Sequence, residues 1–219
     1  MTSENKARNF DFKKLTLFIE GSTGKNFVQN WLKSVDSELE QKCDIHAFQA
    51  AKDKGFKNIE FAISTWKNQA EDKAEPLGCA LIIIDAEDDA NKTKLTLDKI
   101  IAENTNIEYL IVPLSGQNAL ESALLSSVKE SSSDIKTCAT AFAECVQLKN
   151  PKHEKFAKQN WLHKVTVHAM LAATATPESS LWGEDGLHLW DENAPELKRI
   201  IDAIRSGVDK LTSQLTTTV

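Results

Sequence analysis

The sequence predicts an α/β protein: a mostly parallel four-stranded sheet flanked by helices, with a helical C-terminal part packed on it. Three observations predict it. Short aliphatic runs at residues 14–20, 43–49, 77–84 and 107–114 alternate with segments whose apolar residues recur at helical spacing. Such alternation is the signature of crossover connections and a parallel sheet. Two of the runs, Leu-Thr-Leu-Phe-Ile-Glu-Gly from Leu15 and Ala-Leu-Ile-Ile-Ile-Asp-Ala-Glu-Asp-Asp from Ala80, are almost wholly aliphatic until they end in carboxylates. Strands covered by helices on both faces read this way. Beyond residue 115 the strand signal stops, and only helix-like segments follow.

The elements can be justified in order. Residues 1–13 are polar and charged, and a frayed lead-in is expected. After the first strand, Gly21 to Gly24 supplies a tight turn, with Ser22 or Thr23 as the cap of a helix over 25–41. Its apolar face is Phe27, Val28, Trp31, Leu32, Val35 and Leu39. A loop over 50–57 around Gly55 separates the second strand from a helix over 58–73 built on Ile59, Ala62, Ile63 and Trp66. Pro76 ends any helix before the third strand. A helix over 92–104 uses Leu95, Leu97, Ile100 and Ile101. The later helices are expected over 117–129, 134–149, 159–173 and 194–215, broken at Ser131, at Pro151 and by a loop over 174–193. Two parts, 14–115 and 116–215, are expected to form one compact unit.

Composition narrows the function. The chain has 219 residues, is 41% hydrophobic and carries a net charge of −6. There is no basic footprint for tight, sequence-independent binding to nucleic acid. No apolar stretch approaches the length of a membrane span and the first residues do not resemble a signal peptide, so no membrane association and a cytoplasmic location are expected. Cys43, Cys79, Cys138 and Cys145 lack the paired spacing of a zinc site and read as buried free thiols; Cys138 and Cys145 fall seven apart on one helix face.

In open α/β sheets, sites form beyond the carboxyl ends of the strands. If the strands containing Glu20 and Asp85 are neighbours, Glu20, Asp85 and Glu87 come to one rim. Clustered carboxylates repel one another unless a cation sits among them, and oxygen-only ligands suit Mg²⁺ or Mn²⁺. Asp88 and Asp89 extend the cluster, or are solvated loop residues. Taken singly, each acid also suits a helix cap.

These residues carry a resemblance. A strand ending in Glu20-Gly21, with Thr23 and Phe27 following, and a strand ending in Asp85-Ala86-Glu87 resemble the TOPRIM domain of topoisomerases, primases and OLD-family nucleases. Pro113, Gly116, Leu120 and Glu121, then Lys164 with Leu171-Ala172, then Gly186 with Trp190-Asp191, extend the likeness. They are similar to a small prokaryotic group of TOPRIM-like proteins related to those nucleases. The resemblance spans roughly residues 14 to 205 and implies a TOPRIM-like sheet with a metal-dependent phosphoryl-transfer site acting on nucleic acid. It implies Glu20 as general acid/base or metal ligand, Asp85 and Glu87 as the pair holding Mg²⁺ or Mn²⁺, Glu121 as a further acid and Lys164 as the catalytic lysine. The chain departs from the pattern at Gly24, where the group has Asp, and at Glu87, where a second Asp is commoner. A degenerate, non-catalytic scaffold of the same fold is the alternative.

Other constellations carry less. Gly21 to Lys25 lacks the spacing of a phosphate-binding P-loop. His163 and His168 are five apart and diverge on a helix; Ser115-Gly116 lacks a nucleophile-elbow context. Trp182 and Trp190 lie in a loop expected to fold back and fill the seam between the two parts.

Overall fold

Four strands form one parallel sheet in the order β2-β1-β3-β4: β1 Leu15–Glu20, β2 Cys43–Phe48, β3 Ala80–Asp85 and β4 Ile107–Val112. The computed structural model describes residues 9–48, 55–86, 89–112, 120–149, 159–174 and 184–217. The helices are α1 Gly21–Val35, α2 Ser37–Gln41, α3 Gly55–Lys73, α4 Ala90–Ile101, α5 Leu120–Ser126, α6 Ser133–Lys149, α7 Gln159–Thr174 and α8 Pro195–Thr217.

Strand residues alternate between two cores. Leu15, Leu17, Ile19, Leu81 and Ile83 pack with Phe27 and Trp31 of α1, Leu124 of α5, Met170 of α7 and Ile200 and Ile204 of α8. Phe18, Ile82 and Ile84 face the other way, onto Ile59 and Trp66 of α3 and Leu97 of α4. With both faces covered, the continuous aliphatic runs of β1 and β3 follow. From β1 the chain crosses to β2 over the α1 face, then returns past β1 to β3 and on to β4 over the α3 and α4 face. Reversing direction while changing face preserves the handedness of every crossover. The reversal leaves a switch point between the carboxyl ends of β1 and β3.

Several local expectations change. Phe10 and Phe12 are not frayed: both are buried in the second core. Lys73 holds them there, with Nζ donating to the Phe10 carbonyl at 3.0 Å and standing 5.4 Å from the Phe12 ring centre. The turn expected from Gly21 to Gly24 is absent. The strand runs straight into α1 because Gly21 adopts φ +72°, a conformation that suits a residue without Cβ, and Ser22 and Thr23 are helical. The helix expected over 25–41 breaks at Asp36, whose carboxylate accepts from the Leu39 N–H at 3.0 Å and caps α2. Cys43 and Cys79 are buried, burial pushing the Cys43 thiol up to about 12. Cys138 and Cys145 are exposed instead, because α6 turns Ala139 and Ala143 to the core.

The seam is filled as expected. Leu187, Leu189 and Trp190 are buried, and Trp190 meets Phe27 edge-on at 5.6 Å between ring centres. Trp182 lies outside the described residues. None of the described helices is long and apolar enough to cross a membrane.

Candidate functional site

Four elements converge at the switch point. Thr16 pairs with Ala80 and Ile19 with Ile83, so Glu20 and Asp85 emerge at the same end of adjacent strands. The Asp85 backbone N–H donates to Glu20 Oε2 at 3.1 Å. The Asp85 side chain crosses to the first residue of α5, where Oδ1 accepts from the Leu120 N–H at 2.9 Å. Glu121, the next residue of α5, is 8% exposed, and its charge reaches Asp85. Lys164, exposed on α7, is near enough to act on the same carboxyl.

The electrostatics follow from this crowding. Loss of solvent pushes the Asp85 carboxyl well above its ordinary value, and the charges of Glu20 and then Glu121 push it further the same way. The Leu120 N–H and Lys164 oppose the rise without cancelling it. Asp85 is thus held toward its protonated form, as expected of an acid that shares a site with other acids.

The sequence-predicted residues fare differently. Glu20, Asp85, Glu121 and Lys164 are brought together. Glu87 and Asp88 lie outside the described residues, as do Pro113 and Gly116. Asp89 is a helix cap: its Oδ1 accepts from the Asn91 and Lys92 N–H groups at 3.0 and 3.1 Å. Gly24 is buried, and a Cβ there would meet Ile19 Cγ2 at 3.2 Å and Leu120 Cδ2 at 3.8 Å. The position offers apolar packing to a side chain, so an acid there would not project into open space.

One pair escaped the sequence reading. Ser122 of α5 and His163 of α7 share a hydrogen bond of 2.7 Å between Oγ and Nδ1. Burial lowers the His163 pKa, against the raising influence of Glu121. The pair depends on how α5 packs against α7, which no local spacing encodes. His168 is exposed, in keeping with its divergence from His163.

Carboxylates suit a hard cation such as Mg²⁺ or Mn²⁺. Among the described residues no three His, Cys, Asp or Glu side chains gather closely enough to hold a metal ion. A cation here would rest on Glu20 and Asp85, with water or substrate oxygens completing its shell. Mg²⁺ commonly binds in this way, through one or two carboxylates. The fold and rim thus define a doubly wound α/β protein with an acidic cluster and a lysine at its switch point. No known family, curated protein or solved structure matches the chain.

Proposed function

We propose that this protein is a TOPRIM-like, Mg²⁺- or Mn²⁺-dependent phosphoryl-transfer enzyme acting on nucleic acid, a nuclease. The observation that carries the reading is the convergence of Glu20, Glu121 and Lys164 on Asp85 at the carboxyl ends of β1 and β3. The strand-end positions of Glu20 and Asp85, and the approach of Glu121 and Lys164, also support the TOPRIM resemblance. When bound, the cation would polarise a non-bridging phosphate oxygen and acidify the attacking water.

The protein's own groups have separable roles. Asp85 and Glu20 would hold the cation, which would displace the proton that Asp85 retains, so affinity should tighten as pH rises. General acid/base is the alternative role for Glu20 where it does not hold the cation. Lys164 offsets charge that develops on the phosphate in the transition state. The test is cleavage of plasmid and single-stranded substrates with Mn²⁺, comparing the parent with Asp85→Asn and Lys164→Met. Asp85→Asn should lose both Mn²⁺ binding and cleavage; Lys164→Met should lose cleavage and keep binding. Cleavage by Asp85→Asn at the parent's rate would remove the assignment.

A second reading is a catalytically degenerate TOPRIM-like scaffold. The apolar packing at Gly24 favours it, because no second acid fits there without displacing Ile19. Mn²⁺ that neither binds nor supports cleavage by the parent would make this the better account.

A further inference from the structure

The outward face of α6 is built unlike a solvated helix. Cys138, Ala141, Phe142, Cys145 and Leu148 are all exposed, Phe142 by 57% and Leu148 by 78%. Cys138 and Cys145, seven residues apart, project within about 20° of each other, with Ala141, Phe142 and Leu148 beside that line. The helix turns Ala139 and Ala143 inward, so Ala141, Leu148 and Cys145 project away from its own core, with Cys138 beside them and Phe142 on the flank. Asp134 in the first turn and Lys149 in the last close the stripe at its ends, and Thr137 and Glu144, also exposed, flank it beside Ala141 and Leu148. A surface helix ordinarily presents its polar residues on this side.

We infer that α6 is the interface of a two-fold symmetric dimer, in which a second copy of this chain packs its own α6 antiparallel onto the first. Self-complementarity of the sequence identifies the partner. A two-fold axis between Ala141 and Phe142 sets Asp134 against the partner's Lys149, and Lys149 against the partner's Asp134. The same axis sets Cys138 opposite the partner's Cys145, pairs Phe142 with the partner's Phe142, and leaves Ala141 against its own copy on the narrower side. A parallel pairing would instead place Asp134 on the partner's Asp134 and Lys149 on the partner's Lys149. Antiparallel helices also align their dipoles favourably, and an isologous contact needs only one patch. Helices packed about 9–10 Å apart bring facing Cα atoms within disulfide range. Within one helix, Cys138 and Cys145 stand about 10.5 Å apart along the axis, too far to bridge.

A single helix per protomer is a small interface, so dissociation on the order of micromolar is expected. Sedimentation equilibrium of the full chain under reducing conditions should show a monomer–dimer equilibrium. Phe142→Glu should raise the dissociation constant about tenfold or more, with an unchanged circular dichroism spectrum because the side chain is exposed. Asp134→Lys should weaken the dimer, and Asp134→Lys with Lys149→Asp should restore it. Diamide, which takes the two thiol hydrogens and their electrons as the S–S bond forms, reports the register. The Cys138→Ser and Cys145→Ser proteins should each fail to cross-link alone and should cross-link when mixed. A monomer at every concentration, a dimer indifferent to Phe142→Glu, or cross-linking of Cys138→Ser with itself at parental yield would overturn the inference.

Discussion

Replacing Asp85 by Asn keeps an oxygen for the Leu120 N–H and removes the charge that Glu20 and Glu121 oppose. In the unfolded chain this carboxyl releases its proton near the ordinary value of 3.8. In the folded protein it holds the proton to higher pH. Between those two points the unfolded state ionises first, so stability falls as pH rises, and the deficit persists above the folded value. Without metal, Asp85→Asn should therefore melt above the parent at pH 7 and level with it near pH 3 to 4. Thermal melts in EDTA across that range check this, and a variant less stable at pH 7 would mean that Asp85 is favourably ionised. Gly24→Asp is expected to behave otherwise than a restored ligand. Its Cβ presses on Ile19, so a loss of about 1–3 kcal/mol is expected with no gain in Mn²⁺ affinity. A stable variant with tighter Mn²⁺ binding would reverse that reading. The sequence made Glu20, Asp85, Glu121 and Lys164 legible as separate residues, whereas the role of Asp89 became clear only from its two backbone partners.

Individual elements show where local pattern sufficed. The aliphatic runs of β1 and β3 marked themselves, because strands buried on both faces need no polar alternation. The break between α1 and α2 did not, because Val35 and Leu39 keep helical spacing across Asp36 and hide the cap between them. Asp89→Ala tests the corresponding cap of α4. It should cost about 1 kcal/mol of stability while leaving Mn²⁺ binding unchanged, and a loss of binding would make Asp89 a ligand after all. Trp190 tests the seam. Removing its ring by Trp190→Ala should cost roughly 3–5 kcal/mol, as measured by urea unfolding, because it fills the space against Phe27. A loss below about 1 kcal/mol would mean that the seam collapses around the gap. The Ser122–His163 pair was invisible at this scale, since it lies between helices 41 residues apart in the chain.

At the scale of the molecule, a ligand that binds only the native state must raise its melting temperature. A saturating cation at about 100 times its dissociation constant adds roughly 2.7 kcal/mol, or several degrees in a chain of this size. Mn²⁺ should produce that shift in the parent, more strongly as pH rises through the range where Asp85 ionises, and should not produce it in Asp85→Asn. A pH-independent shift shared by both proteins would place the cation elsewhere. The sequence by itself determined the class of fold, because the strand–helix alternation and the doubly buried runs are local properties of the chain. It also determined which acids stand at strand ends. Only the tertiary structure decided that β1 and β3 are neighbours, that α5 and α7 bring Glu121 and Lys164 to Asp85, and that α6 turns its cysteines outward. Those outcomes depend on the face each crossover takes and the side each helix buries, and they are fixed by packing between residues far apart in sequence.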